Sequence, residues 1–134
     1  MKIKFSRFFP IAALLLWQPH ASAFAQEEIR FNKGATTGTV RGEVTTTIKT
    51  YQFRAQKGQR ITAVLEPAGG DKGMLTMTLY AYCGEEYGRP LASEALRWEG
   101  ELPCNDRYTI DVAPSTDAMK AVRVQRYALT LTIR

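Results

Sequence analysis

Histidine is nearly absent from this sequence: the single one among 134 residues, His20, falls inside an N-terminal segment that reads as an export leader. A chain without it has no imidazole for Ser-His-Asp or Cys-His nucleophilic chemistry and lacks the commonest nitrogen ligand of zinc. Cysteine is scarce as well, with only Cys83 and Cys104. The signatures G-x-S-x-G, H-E-x-x-H and G-x-x-x-x-G-K do not occur, and the short "DKG" at 71–73 supplies far fewer oxygen ligands than a calcium loop needs. Internal repeats and low-complexity tracts are missing, and nothing after residue 25 carries apolar residues at helical spacing. These absences argue against an enzyme: no catalytic residue, metal ligand or cofactor is expected.

What is present begins with export. Lys2, Lys4 and Arg7 form a positive start, "FFPIAALLLW" an apolar run and "ASAFAQ" a small-residue stretch, the order of a signal peptide cleaved after Ala23 or Ala25. The run is shorter than the roughly 20 residues of a membrane span, so none is expected after cleavage. No cysteine follows it, which argues against a lipoprotein. The expected division is a signal peptide over 1–25 and one domain over 26–134, enough chain for a single core. Cleavage removes three of the five net positive charges, so the pI near 9.4 belongs largely to the leader. A nucleic-acid partner thereby loses its electrostatic basis. In an oxidising compartment Cys83 and Cys104 are expected to pair, contributing about 3 kcal/mol by constraining the unfolded chain. A nucleophilic cysteine would need a base, and no histidine remains to be one.

Alternating segments recur at short intervals between turn residues, the pattern of an all-β antiparallel sandwich of about eight strands. They are "EIRF", "TVRGEV", "TYQFRA", "RITAVLE", "MLTMTLYAY", "LRWEGEL", "RYTIDV" and "RYALTLTIR". Asn32 and Gly34, Gly58 and the "PAGGDKG" stretch supply turns. The expected core is Phe31, Val40, Tyr51, Phe53, Ile61, Leu65, Leu75, Leu79, Trp98, Tyr108, Ile110, Leu129, Leu131 and Ile133. A closed barrel shows the same alternation and stands as the other architecture.

The adjacent acids Glu85 and Glu86, and the pair Glu99 and Glu101 on one strand face, read as solvated surface rather than as acid–base pairs. Two connections exceed what chain reversal requires, and loops on a rigid sheet are where binding residues concentrate. One is "CGEEYGRPLASEA", read as irregular, with Tyr87 and Arg89 as binding-prone side chains and Cys83 tied to Cys104 at its base. The other is "APSTDAMKAVRV", between the last two strands.

Four stretches follow the order and spacing of a known family over nearly all of 26–134: "RFNKG" (Arg30 to Gly34), "YQFRAQKGQRI" (Tyr51 to Ile61), "LP" with "RYTIDV" (Leu102, Pro103, Arg107 to Val112), and "DAMK" before "RYALTLTI". On these the chain resembles the periplasmic inhibitors of g-type lysozyme. The first three also resemble, more loosely, the bacterial pre-peptidase C-terminal β-sandwiches. The resemblance implies a rigid sandwich that pushes loops into a carboxylate-lined cleft, to which a basic, hydrogen-bonding loop is complementary. It implies a lysozyme-binding loop of Thr116, Asp117, Met119, Lys120 and Arg123, with Tyr87 and Arg89 from a neighbouring loop. Lys120 and Arg123 would pair with acidic groups, and Asp117 would bond backbone amides and set the loop's shape. The family's loop carries arginines on both sides of an Asn-Asp-Ala core, where this chain has Ser115 and Met119. The Ser-Gly-x-x-Tyr loop of the c-type and i-type inhibitors has no counterpart, so g-type lysozyme in the periplasm is the expected partner. Two other classes stand beside this reading. One is a stand-alone pre-peptidase-like envelope module that recognises glycan or another protein, with Tyr80 and Tyr82 against sugars; the other is a structural envelope protein.

Overall fold

Alternation puts every second side chain of a strand on one face, and a face of Leu, Ile, Val and aromatic residues must be covered. Two sheets cover each other here. The computed structural model describes residues 26–31, 36–68 and 74–134. The leader read over 1–25, the turn at Asn32 and Gly34, and positions 69–73 lie outside the described residues. One sheet has the order β1 (Glu27–Glu28), β3 (Lys49–Ala55), β8 (Asp106–Pro114), β5 (Leu75–Ala81), β6 (Arg89–Ala95). The other runs β2 (Thr37–Val44), β9 (Gln125–Ile133), β4 (Arg60–Pro67), β7 (Arg97–Glu101). Pairing is antiparallel except for β1, which joins β3 in parallel with Glu27 opposite Tyr51. The two sheets are separately ordered, each with its own edge strands, so the architecture is a sandwich and not a closed barrel.

The core lies between them. Tyr51 and Phe53, Ile61, Ala63 and Leu65, Leu75, Met77 and Leu79, Tyr108, Ile110 and Val112, and Leu129 and Leu131 are all buried. Each large side chain among them contributes about 1.5–3 kcal/mol relative to exposure. Phe31, Val40, Trp98 and Ile133, expected inside, are half-buried and pack against the cluster from its margins. Ile29, Val44, Ala81, Leu102 and Tyr127 join it in full.

One polar contact bridges the layers. The Tyr51 and Tyr127 hydroxyls, from β3 and β9, are hydrogen-bonded at 2.7 Å, with the rings edge-on at 6.4 Å. Their buried oxygens are thereby satisfied, and burial pushes the Tyr127 phenol well above its ordinary pKa. Gly42 on β2 makes this possible, since a Cβ there would sit 2.6 Å from the Tyr127 hydroxyl and 2.7 Å from that of Tyr51.

Two expectations are corrected. Residues 89–95, read as irregular, form the edge strand β6. Its register shifts against β5 between Met77 and Leu79, and Glu94 takes φ 50 there, so a bulge erases the period-two pattern that marks a strand. The second correction is a helix, α1 (Thr116–Ala121), in the connection read as helix-free. β8 reaches Pro114 and β9 starts at Gln125, so the true connection is 115–124.

Candidate functional site

The segment "TDAMKA" is too short for helical periodicity to register and too short to hold as an isolated helix. Its ends and one buried residue hold it. The Ser115 hydroxyl accepts from the Ala118 amide at 3.2 Å, and the Ser115 amide donates to the Met74 carbonyl at 2.9 Å, tying the N-terminus to β5. Asp117 in the first turn and Lys120 in the last complement the helix dipole. Ala118 is fully buried. A serine cap followed by Ala-Met-Lys-Ala was the available sequence signal.

The helix closes on Val122 at φ 50, ψ 44, with its amide donating to the carbonyls of Ala118 and Met119. Left-handed closure ordinarily falls to glycine or asparagine; for a β-branched residue it is strained. Val122 is nonetheless 66% exposed, so core packing does not require it. Strain of this kind concentrates at functional positions.

Exposure around α1 is unusual. Of the large apolar side chains exposed among the described residues, Met119, Val122 and Val124 belong to the 115–124 connection, and Ile48 sits in the turn between β2 and β3. The register brings that turn to the same end of the sandwich: Lys49 lies opposite Val112, and Val44 opposite Gln125. Ala68, after β4, donates to the Arg126 carbonyl at 2.8 Å and closes the end from the other side. Thr116, Asp117, Lys120 and Arg123 are all exposed. Lys120 and Arg123 form no ion pair among the described residues, whereas Arg126 reaches Glu43 at 3.5 Å and Lys49 reaches Glu27 at 3.1 Å. The hydrogen bond from Lys49 to Glu27 raises the lysine's pKa. Exposed apolar side chains and the cations Lys120 and Arg123 therefore share this end of the sandwich, the composition of a protein-binding surface.

The second loop does not adjoin this surface. β5 and β8 run antiparallel with Leu75 opposite Pro114 and Ala81 opposite Tyr108. The Cys83–Gly88 loop therefore leaves the opposite end of the five-stranded sheet, about 20 Å away at roughly 3.3 Å per residue. The expectation that Tyr87 and Arg89 flank the 116–123 segment is corrected accordingly. The loop itself is well braced. Cys83 and Cys104 form the expected disulfide, with Cα atoms 5.5 Å apart. Asp106 accepts from the Gly84 amide at 2.6 Å and from the Arg107 amide at 2.7 Å, and these bonds hold its carboxyl below the ordinary value. The Tyr108 hydroxyl donates to the Cys104 carbonyl at 2.6 Å. Arg89 donates to Glu85 at 2.8 and 3.1 Å, so its guanidinium is engaged, while Tyr87 stands 78% exposed.

Apart from the tyrosine hydroxyls, the only buried polar side chain among the described residues is that of Thr109, and no cluster of His, Cys, Asp or Glu capable of holding a metal occurs among them. No helix among them is long and apolar enough to cross a membrane. The arrangement is a β-sandwich that offers surfaces and loops.

Solved structures of the same fold are periplasmic inhibitors of g-type lysozyme. That of Aeromonas hydrophila superposes with a TM-score of 0.67 at 19% identity, over 81% of this chain and 95% of the inhibitor. The Salmonella Typhimurium inhibitor gives 0.62 at 20% identity, over 80% and 96%, and a mutant of the Escherichia coli inhibitor 0.61 at 20%, over 80% and 96%. At this identity the likeness establishes the fold. No protein-family model matches the chain, and no curated protein sequence does.

Proposed function

We propose that this chain is a periplasmic protein inhibitor of lysozyme, of the g-type by preference, that occupies the enzyme's substrate cleft with the α1 end of its sandwich. The observation that carries the reading is the shared fold with three g-type inhibitors along 95–96% of their lengths. The α1 end supports the mode of action. Lys120 and Arg123 are exposed cations suited to a cleft lined with carboxylates, and Met119, Val122 and Val124 supply apolar contact between them. Asp117 lies in the first turn of α1, where its charge favours the helix. Export by the leader would deliver the protein to the periplasm, and binding requires no chemistry of its own. Tyr87 and Arg89 belong to the other end and stand outside this contact.

Turbidity loss of peptidoglycan suspensions, with goose-type, chicken-type and invertebrate-type lysozymes, tests the reading. The purified domain 26–134 is expected to stop the goose-type enzyme at sub-micromolar concentration. Changing Lys120 and Arg123 together to Ala is expected to weaken inhibition by roughly 30–100-fold, the loss of about 2–3 kcal/mol from two charged contacts. Undiminished inhibition by the double variant would remove the α1 end from the mechanism; lysis unaffected by the wild-type domain would remove the function.

A further inference from the structure

We propose that the outer face of the five-stranded sheet carries a second binding site, one that takes a neutral oligosaccharide built of pyranose rings. It is separate from the α1 end and does not rest on the lysozyme reading. A cleft of about 270 Å³ there is lined by Tyr80, Tyr82 and Tyr87 together with Thr50, Thr109 and Asp111. The strand register assembles it: Thr50 lies opposite Asp111 across β3 and β8, and Thr109 opposite Tyr80 across β8 and β5, each alternating with buried core residues. Gly88 fixes the third tyrosine. A Cβ at that position would come within 2.9 Å of the Tyr80 Cβ and 3.2 Å of the Tyr82 ring, so the loop backbone lies directly on both side chains and sets Tyr87 at the rim.

The lining has the two elements that sugars require. Aromatic faces attract the weakly positive C–H groups of a pyranose ring. A carboxylate accepts strong charge-assisted bonds from hydroxyls. Thr50 donates to Asp111 Oδ1 at 2.7 Å and orients the group, and Oδ2 has no side-chain partner among the described residues. Asp111 and the Arg107 guanidinium, the latter stacked 4.4 Å from the centre of the Tyr82 ring, carry opposite charges, so the site has no net charge with which to draw an acidic sugar.

Amide chemical shifts of the domain 26–134, followed during titration with chitotetraose, cellotetraose and an anionic heparin tetrasaccharide, test the proposal. Expected are millimolar or tighter binding of a neutral sugar and shifts centred on Tyr80, Tyr82, Gly88 and Asp111. Tyr87→Ala, at a 78% exposed position whose loss leaves the fold intact, is expected to weaken binding about tenfold, equal to about 1.4 kcal/mol. Asp111→Asn is expected to weaken it as well. Absence of shifts in the cleft with both neutral sugars would overturn the proposal. So would unchanged affinity in Tyr87→Ala, or a preference for the anionic sugar.

Discussion

Replacing Val122 by glycine is expected to make the protein more stable and a poorer inhibitor. The residue holds φ 50, ψ 44 at the end of α1, a left-handed conformation that costs an L-residue roughly 1–2 kcal/mol. Glycine removes that cost but loses about 0.5–1 kcal/mol through its freer unfolded chain, so the net gain is about 0.5–1 kcal/mol. Little packing is lost, because the side chain is 66% exposed. The cap survives, since it is made by the backbone amide of residue 122 at 3.1 Å from the Met119 carbonyl. In urea unfolding followed by circular dichroism the variant would gain this increment, with Tm raised by about 2–5 °C. In the lysis assay it would lose a partner-covered isopropyl group worth about 1 kcal/mol, weakening inhibition about fivefold. Val122→Asn would fall between, being tolerant of the same backbone but polar. A drop in stability for Val122→Gly would show that the strain argument is wrong. A gain in stability with inhibition unchanged would place Val122 outside the contact.

Further outcomes follow from the bracing of the sandwich. Changing Cys83 and Cys104 together to Ser is expected to cost about 3 kcal/mol in urea unfolding, from release of a loop with sequence separation 21. Gly42→Ala is expected to cost about 2–4 kcal/mol, because the added methyl forces apart the buried Tyr51 and Tyr127 hydroxyls and overpacks their site; a change under about 0.5 kcal/mol would show that the tyrosine pair yields freely. Asp106 has a folded pKa below its ordinary value, so its contribution is complete above that value and declines as pH falls through the lower folded one. Asp106→Asn is therefore expected to flatten the acid limb of the stability curve, measured by thermal unfolding between neutral pH and strong acid. An acid limb identical to wild type would dismiss the amide bonds from Gly84 and Arg107 as its source.

The strands that alternate cleanly were legible in the sequence: Tyr51 and Phe53, Ile61 and Leu65, Tyr108 and Ile110, and Leu129 and Leu131 reveal their inward face by spacing alone, and all are buried. β6 was not legible, because Arg89 and Pro90 leave its start exposed and the bulge at Glu94 breaks the alternation on which recognition depends. Nor was α1, since six residues span under two turns and show a face only through one buried alanine. Of the candidate site, the stretch around Lys120 was picked out by its length and basic charge. That Ile48 lies at the same end was not legible, because a turn about seventy residues earlier is brought there only through the pairing of β3 with β8. The same pairing separated Tyr87 from Lys120, which sequence had placed together.

By itself, then, the sequence determined the class of structure and the narrowness of its chemistry. Period-two alternation leaves each strand one apolar face to hide, and a chain whose only histidine precedes residue 26 has little with which to run a catalytic centre. Tertiary structure decided which surfaces exist. Antiparallel register assigns every loop to one end of the sandwich or the other, placing Ile48 at the same end as Met119, Val122, Lys120 and Arg123 and bringing Tyr80, Tyr82 and Tyr87 to one cleft with Thr50 and Asp111. Such groupings depend on contacts between residues far apart in the chain, and no local pattern encodes them.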